Sequence, residues 1–328
     1  MHGSTGWLEG DRPREPIPGP AMGRWCETVS MHPQPGIFGL GTVEHCYVEL
    51  DLIGRGDGRD LTAALAMLSG PETTVAGVGV VVALRPELWA SIAPGDAPAE
   101  ARSFDELEGS GLRMPSTQHD AWVWIAGGSR DAVFDSTLRV VRGLDGIARV
   151  ASEVTGWLYR HDRDLTGFID GTENPSMTEA PDVAVVPEGP GAGASIVLVQ
   201  KWRHSPSFGR LATDEQERVI GRTKEDSVEL DPSVMPPDSH VSRTSVQEDG
   251  EELQIYRRNT AYGGPTEHGT MFVAFCREQR PFEVMLRRMA GVDDGVRDAL
   301  TRYAQPLSGG YYVAPSLQAL SRLARSTD

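Results

Sequence analysis

A carboxylate on a rigid turn is the first feature of this sequence that could do chemistry. Asp170 follows the apolar pair Phe168 and Ile169, stands before Gly171, and is four residues from a further constraint at Asn174-Pro175. Glycine permits backbone angles closed to other residues, and proline fixes the exit from the turn. An acid held beside apolar neighbours is poorly solvated, so its pKa can move, as general acid/base chemistry requires. The alternative interpretation is a structural Asp that only bonds its own turn.

A histidine and an arginine pair are the other candidates. His240 lies in Asp238-Ser-His-Val-Ser-Arg243, after a proline-rich loop, although one histidine of eight is usually structural or exposed. Arg257 and Arg258 lie on a predicted strand, so their side chains face opposite ways. Asn259 shares the face of Arg257 because strands repeat every two residues; it could hold Asp170, or simply bond backbone at the strand end.

Read as a whole, three motifs resemble those of one enzyme family. Gly-Phe-Ile-Asp170-Gly-Thr-Glu-Asn-Pro, the segment around His240, and Ile255-Tyr-Arg257-Arg-Asn259-Thr-Ala-Tyr-Gly263 are similar in order and spacing to motifs of the dye-decolorising peroxidases, which bind haem b. The resemblance runs from about residue 34 to 316, and the length and Asn259 suggest the B-type subgroup. One departure is Ala261, where the family often has proline.

The resemblance implies a role for each candidate residue. It implies non-covalent haem b (iron protoporphyrin IX) with His240 as the axial iron ligand, backed by a carboxylate, Asp298 first and Asp294 next. It implies Asp170 and Arg257 as catalytic residues, with Asn259 orienting Asp170. For the haem propionates Arg243 ranks first, ahead of Arg222 and Lys224. Arg258 is expected to be a solvated partner of surface acids.

The activity implied is that of a haem peroxidase. Hydrogen peroxide would oxidise the haem to an oxyferryl intermediate, which then oxidises dyes, phenolics or other one-electron donors. Surface aromatic residues are expected to pass electrons from large donors, the candidates being Trp202, Tyr303, Tyr311 and Tyr312, although core packing suits each of them. The alternatives are a haem or porphyrin carrier, for which Asp170 and Arg257 would be dispensable, and a haem-handling enzyme, which would turn over haem itself.

Composition narrows the partners and the compartment. The net charge of −16 and the sequence pI near 4.9 argue against nucleic acid and anionic membranes as partners. The three cysteines, Cys26, Cys46 and Cys276, form no Cys-x-x-Cys motif, so reduced thiols in a cytoplasmic protein are expected. We expect no secretory leader, no membrane-spanning segment and no capsule-loading tag. We expect the protein to form a homo-oligomer.

Alternating strand and helix signals predict an α+β fold that positions these residues. Strands are predicted at 43–52, 74–84, 120–126, 149–158, 195–202, 252–258 and 270–276. Helices are predicted at 60–68, 86–92, 129–144, 213–221, 281–289 and 295–303. The expected organisation is a disordered or extended segment at 1–36, domains at 37–180 and 194–316 joined by a linker at 181–193, and a tail at 317–328. The resemblance implies two ferredoxin-like domains of the dimeric α+β barrel type, with antiparallel sheets packed sheet to sheet, peripheral helices, and haem held mostly by the second domain.

Overall fold

The computed structural model describes residues 31–54, 58–68, 77–160, 163–248 and 250–325. Three expectations therefore fall wholly or partly outside the described residues: the disordered or extended segment at 1–36, up to residue 30, the first residues of the predicted strand at 74–84, and the thiol of Cys26. Within these ranges, no helix is long and apolar enough to cross a membrane.

The strands and helices alternate much as the sequence indicates. The strands are β1 (Glu44–Leu52), β2 (Gly79–Leu84), β3 (Leu107–Gly109), β4 (Leu112–Met114), β5 (Ala121–Gly127), β6 (Ala148–Trp157), β7 (Ser195–His204), β8 (Gln247–Glu248), β9 (Glu251–Glu252), β10 (Tyr256–Arg257), β11 (Thr260–Gly263), β12 (His268–Cys276), β13 (Ala304–Pro306) and β14 (Gly310–Ala314). The helices are α1 (Arg59–Leu68), α2 (Pro86–Ile92), α3 (Arg130–Gly143), α4 (Ala180–Ala184), α5 (Thr213–Ile220), α6 (His240–Thr244), α7 (Arg280–Ala290) and α8 (Leu317–Arg325). Short 3-10 turns occupy Pro35–Phe38, Pro94–Asp96, Phe208–Arg210 and Ala299–Arg302.

Local sequence explains most helix boundaries. The Ser129 side chain caps α3 by accepting a hydrogen bond from the N–H of Ala132, as its position predicts. Proline opens α2 and α7, where a missing N–H is tolerated. The predicted helix at 295–303 is wrong in extent: only the 3-10 turn at Ala299–Arg302 forms, because the Asp298 side chain accepts from the N–H of Leu300 and caps it there.

Eight strands close into an antiparallel barrel. Their order is β6-β1-β5-β2-β14-β7-β12-β11, and β11 pairs with β6 to complete the ring. Within each half of the chain, the four barrel strands lie in the order fourth, first, third, second, which is the ferredoxin-like arrangement. The α+β fold with two ferredoxin-like halves is thereby confirmed.

The two halves meet at their edges. Val313 on β14 pairs with Leu84 on β2, and Ala261 and Tyr262 on β11 pair with Trp157 and Gly156 on β6. The inner faces of the two halves also pack on each other inside the barrel, as expected, with the ring centroids of Trp124 and Phe275 6.0 Å apart, and the edge pairings make both halves parts of one continuous sheet. The segment predicted as a linker at 181–193 includes most of α4, whose alanines Ala180 and Ala184 are buried.

The barrel is filled on its inside and covered on its outside. Strand β5 shows the pattern: Trp122 and Trp124 join the interior cluster, whereas Val123 and Ile125 pack outward with α1 and α3. Outside the second half, α7 packs Phe282 and Leu286 against β7 and β12. The cavity described next opens in this outer layer.

Candidate functional site

A deep cavity lies between the second half of the barrel and α6 and α7. Its walls are largely apolar, with Leu198 and Phe272 from the sheet and Met285 and Met289 from α7. A small set of polar side chains converges on it: Asp164, Asp170, Arg222, His240, Arg257 and Asn259. An apolar cavity with a few convergent polar groups is the usual form of a cofactor or substrate site.

His240 is held at the first turn of α6 with one ring nitrogen engaged. The Ser239 side chain caps this helix by accepting from the N–H of Ser242 at 3.3 Å. Nδ1 of His240 lies 2.7 Å from Oδ2 of Asp298, which is fully buried and accepts from the N–H of Leu300 at 2.8 Å through its other oxygen. Nε2 is thus the ring nitrogen available to a ligand in the cavity.

The surroundings of His240 pull its pKa in two directions. Burial lowers the pKa of the ring, but the negative charge of Asp298 and its hydrogen bond outweigh burial, so the pKa is raised. A carboxylate partner of this kind fixes the tautomer of a metal-binding histidine and increases its basicity. Asp294, the second choice for this partner, instead pairs with Arg243.

Asp170 lies on a turn closed by its own backbone. The N–H of Asn174 donates to the carbonyl of Gly171 at 3.0 Å, and Gly171 has a φ of +83°, which only glycine adopts readily. Oδ2 of Asp170 accepts a hydrogen bond from Nδ2 of Asn259 at 2.9 Å. Oδ1 of Asn259 accepts from the N–H of Val273 at 3.2 Å, so this amide both bonds backbone and orients Asp170.

Asn174 clamps this turn to the strand that carries Arg257. Its Nδ2 donates to the carbonyl of Arg257 at 3.0 Å, and its Oδ1 accepts from the N–H of Arg257 at 2.8 Å. The side-chain amide thus takes the place of a neighbouring strand. From the sequence, Asn174 is expected to bond only to nearby backbone. Its place in the motif around Asp170 is the signal that could have indicated a contact with the strand of Arg257.

The two adjacent arginines diverge, as strand geometry requires. Arg257 lines the cavity, and its buried Nε has no hydrogen-bond partner among the described residues. Arg258 donates to the carbonyls of Ile37 at 2.8 Å and Gly39 at 2.6 Å, and its guanidinium lies 5.1 Å from the ring centroid of Trp124. The expectation that Arg258 pairs with surface acids is therefore wrong.

The structure brings Arg222 rather than Arg243 to the cavity. Arg243 is buried on the far side of α6, where its guanidinium donates to the carbonyl of Arg288 at 2.8 and 3.0 Å and pairs with Asp294 at 2.8 Å. These partners tie α6 to the end of α7, so Arg243 is absent from the cavity wall. Arg222 lines the cavity and pairs with Glu173 and with Glu229 at 2.6 Å.

Lys224, the third cation considered for the propionates, is directed elsewhere. Its ammonium lies 5.6 Å from the ring centroid of Phe168 and donates to Oε1 of Gln216. Lys224 is not part of the cavity wall.

Asp164 is a cavity residue that the sequence did not single out. It accepts from the N–H of Thr166 at 2.7 Å and from the hydroxyl of the same residue. Burial raises the pKa of Asp164 to about 6; the hydrogen bond from Thr166 opposes the rise, and the charge of Asp170 adds to it. Asp164 lies three residues before Gly167, and the sequence does not distinguish it because a turn explains an Asp there equally well.

A second cavity shares a wall with the first. Asp164, Asp170, Arg257 and Asn259 line both, and the second is otherwise bounded by the segment at 39–42 and by His45. These four side chains thus lie between two adjoining cavities. Among the described residues, no cluster of three or more His, Cys, Asp or Glu side chains is arranged to bind a metal ion.

The residues present fit the haem that the sequence implies. Apolar walls such as Leu198, Phe272 and Met285 would hold the apolar ring of a haem, and His240 would offer Nε2 to its iron. Two buried polar atoms, Nε of Arg257 and Nε2 of Gln200, lack partners among the described residues and line the same cavity. Buried donors of this kind normally have a partner.

Comparisons with known proteins agree with this geometry. The family models described as Dyp-type peroxidase, N-terminal and C-terminal, match residues 57–158 and 161–319. A dye-decolorizing peroxidase of Mycolicibacterium paratuberculosis is 36% identical over 74% of this chain and 71% of its own length, and one of Rhodococcus erythropolis is 35% identical over 80% and 81%. Among solved structures, a DypB variant of Rhodococcus jostii RHA1 in complex with haem superposes with a TM-score of 0.80 at 32% identity, covering 89% of this chain and 96% of that one.

Proposed function

This chain belongs to the Dyp-type peroxidase family and is a haem peroxidase, and on that basis we propose a role for each polar residue of the cavity. Haem, when bound, supplies the iron at which peroxide is reduced and from which electrons are drawn. The remaining chemistry belongs to the side chains. The observation that carries the proposal is the convergence of Asp170, Arg257 and Asn259 on the cavity that His240 also lines.

His240 would bind the haem iron through Nε2, and Asp298 is its positioning residue. The 2.7 Å hydrogen bond keeps the proton on Nδ1 and leaves Nε2 bare. The buried carboxylate also increases the basicity of the ring, since the charge of Asp298 acts on it without solvent between them.

Asp170 is the proposed proton carrier for peroxide. Its Oδ2 is held by Asn259, so Oδ1 is the oxygen that takes the proton from the inner oxygen of hydrogen peroxide and returns it to the outer one, which leaves as water. Arg257 stabilises the negative charge that develops as the O–O bond breaks, because its guanidinium is permanently charged and its Nε has no other partner among the described residues. We weight Arg257 as the more essential of the two.

Finer assignments are part of the same proposal. Arg222 is the residue we propose for a haem propionate, in place of Arg243, because it lines the cavity and Arg243 does not. Membership of the B-type subgroup, the domain boundaries at 180 and 194, a cytoplasmic location, a homo-oligomeric state, and dyes and phenolics as electron donors all stay predictions.

The test is the reaction of the haem-loaded protein with hydrogen peroxide in a stopped-flow spectrometer. Arg257→Leu is expected to retain haem and to slow the reaction by about 10²–10³-fold, the usual effect of removing one donor that stabilises developing charge. Arg113→Leu is the matched control, because Arg113 is exposed, pairs with the exposed Glu106 and is not part of the cavity wall. A carrier would bind haem equally well in both variants and show no dependence on Arg257, and that result would refute the proposed function.

A further inference from the structure

The second cavity is much larger than hydrogen peroxide requires. Its volume is about 420 Å³. Hydrogen peroxide is about the size of two water molecules, and on the same measure one water needs only about 10–15 Å³. Asp170, Arg257 and Asn259 line this cavity as well as the first, so a molecule bound in it reaches the side chains that act on peroxide. The remaining volume is available to a substituent on the peroxide.

Apolar side chains line the cavity where it meets solvent. Leu40, Leu158 and Met177 all belong to its wall, although they are 72%, 36% and 43% exposed. A single exposed apolar side chain is ordinary on a protein surface, but several around one concave site are typical of a surface that binds an apolar group. The opening of this cavity is therefore suited to an apolar substituent.

Arg258 holds one side of this wall in place. Its guanidinium donates to the carbonyl of Gly39 at 2.6 Å and to the hydroxyl of Thr42 at 3.3 Å, and both of these residues line the cavity. These bonds fix the segment at 39–42 before any ligand binds. A site shaped in advance loses less free energy to ordering when it is filled.

The cationic side chains of the wall are directed at backbone. Arg163 donates to the carbonyls of Gly167 at 2.7 Å and Glu225 at 2.8 Å, and Arg258 makes the bonds just described. Burial, assisted by the charge of Arg258, lowers the pKa of His45 to about 4, so this ring is neutral at ordinary pH. The wall therefore favours an uncharged apolar group over an anionic one.

We propose that this protein reduces organic hydroperoxides that carry an uncharged apolar group, and that this group occupies the second cavity while the O–O bond lies beside Asp170 and Arg257. The inference rests on the proposed function and deepens it, because it names the class of peroxide on which the same side chains act.

The proposed roles of Asp170 and Arg257 carry over to this substrate. Asp170 takes the proton from the unsubstituted oxygen and returns it to the oxygen that bears the apolar group, which leaves as an alcohol. Arg257 stabilises the negative charge that develops as the O–O bond breaks. In sum, one hydroperoxide, together with two electrons and two protons from the donors, gives one alcohol and one water.

The experiment compares ethyl, butyl and hexyl hydroperoxide with hydrogen peroxide in stopped-flow reactions of the haem-loaded protein. Each methylene that leaves water for the cavity favours binding by up to about fourfold. We therefore expect the rate constant to rise at least about tenfold from ethyl to hexyl hydroperoxide. Binding of hexan-1-ol, the product alcohol, to the resting haem-loaded protein is measured by calorimetry and gives a readout that does not depend on turnover.

A pair of substitutions makes the wall polar. Leu158→Asn combined with Met177→Gln is expected to lower both the ratio of the hexyl to the hydrogen peroxide rate constants and the affinity for hexan-1-ol by at least about fivefold. Each single variant is measured as well, in case the pair does not fold. Val234→Asn combined with Met67→Gln is the matched control, because both side chains are exposed and neither is part of either cavity wall.

The outcomes separate this inference from the proposed function. Rate constants that do not rise with chain length would overturn the inference and leave the peroxidase function standing, provided that hydrogen peroxide reacts. A wall variant that keeps both the rate ratio and the affinity for hexan-1-ol, or a control pair that loses them, would do the same. Absence of a reaction with every peroxide would overturn both.

Discussion

Replacing Asp298 by asparagine tests how the cavity prepares its histidine. The carboxylate of Asp298 uses both oxygens, one for the N–H of Leu300 and one for Nδ1 of His240. Asparagine has a single oxygen. The Leu300 N–H cannot change its protonation, so it keeps that oxygen, and the amide NH₂ of the variant faces the His240 ring.

This change alters the tautomer of His240. Facing an NH₂ group, Nδ1 becomes an acceptor and the proton moves to Nε2, the nitrogen that faces the cavity. Binding iron then requires that proton to be lost. Loss of such a partner typically weakens a metal site about 10–100-fold, which is about 1.4–2.8 kcal/mol of binding free energy. We expect the haem affinity of Asp298→Asn to fall by that factor.

The assay is a haem titration of the purified apoprotein, monitored by absorbance. If binding is too tight for titration, the rate of haem transfer to a competing haem-binding protein is measured. The iron–histidine stretching band in the Raman spectrum of the reduced protein gives a second readout, because it reports the charge on the ring. Asp294→Asn is the control: this carboxylate pairs with Arg243, is 44% exposed, and should leave both readouts unchanged. An Asp298→Asn protein that binds haem as tightly as the unaltered one, with the same band, would refute the reasoning.

Two further predictions concern the turn that carries Asp170. Burial raises the pKa of Asp164 to about 6 from an ordinary 3.8, so the folded protein loses stability as the pH rises from 3.8 to about 6. Asp164→Asn should therefore increase the free energy of unfolding at pH 8, by at most about 3 kcal/mol, but not at pH 3.5, as urea denaturation of the haem-free protein will show. Asn174→Ala removes both bonds to the Arg257 backbone, and should lower unfolding free energy by about 1–3 kcal/mol and slow the peroxide reaction in stopped flow.

Each of these has a contrary result. Equal effects of Asp164→Asn at both pH values would show that the acid is not poorly solvated in the folded protein. An Asn174→Ala protein that is destabilised but reacts with peroxide at the original rate would show that the clamp stabilises the fold without positioning Arg257.

The sequence was informative wherever a local rule determines side-chain direction. Strand periodicity predicts that Arg257 and Arg258 point in opposite directions, and the motif resemblance predicts that Asp298 is the partner of His240. Where direction depends on partners distant in sequence, prediction failed. Arg243 turns away from the cavity because the carbonyl of Arg288 and the carboxylate of Asp294 capture it, and neither contact has a sequence signature.

The same limit applies to the fold and to the aromatic residues. Alternating strands and helices predict the α+β class, but the edge pairing of β2 with β14 joins residues 84 and 313 and cannot be inferred from periodicity. Trp202, Tyr311 and Tyr312 were considered as surface electron carriers, yet all three are buried. The ring of Tyr312 on β14 stacks on that of Trp122 on β5, a contact between the two halves of the chain that only the folded barrel reveals.

The two edge pairings that join the halves of the barrel, β2 with β14 and β6 with β11, have a consequence for synthesis on the ribosome. Strands β6 and β2 are the outer strands of the first half, and their partners are β11 and β14 of the second half. Of these two partners, β14 (Gly310–Ala314) is synthesised later. Until its partners are made, the nascent first half therefore exposes unpaired backbone edges, which are templates for association between chains. The barrel becomes closed, and safe from such association, only when the last strand emerges.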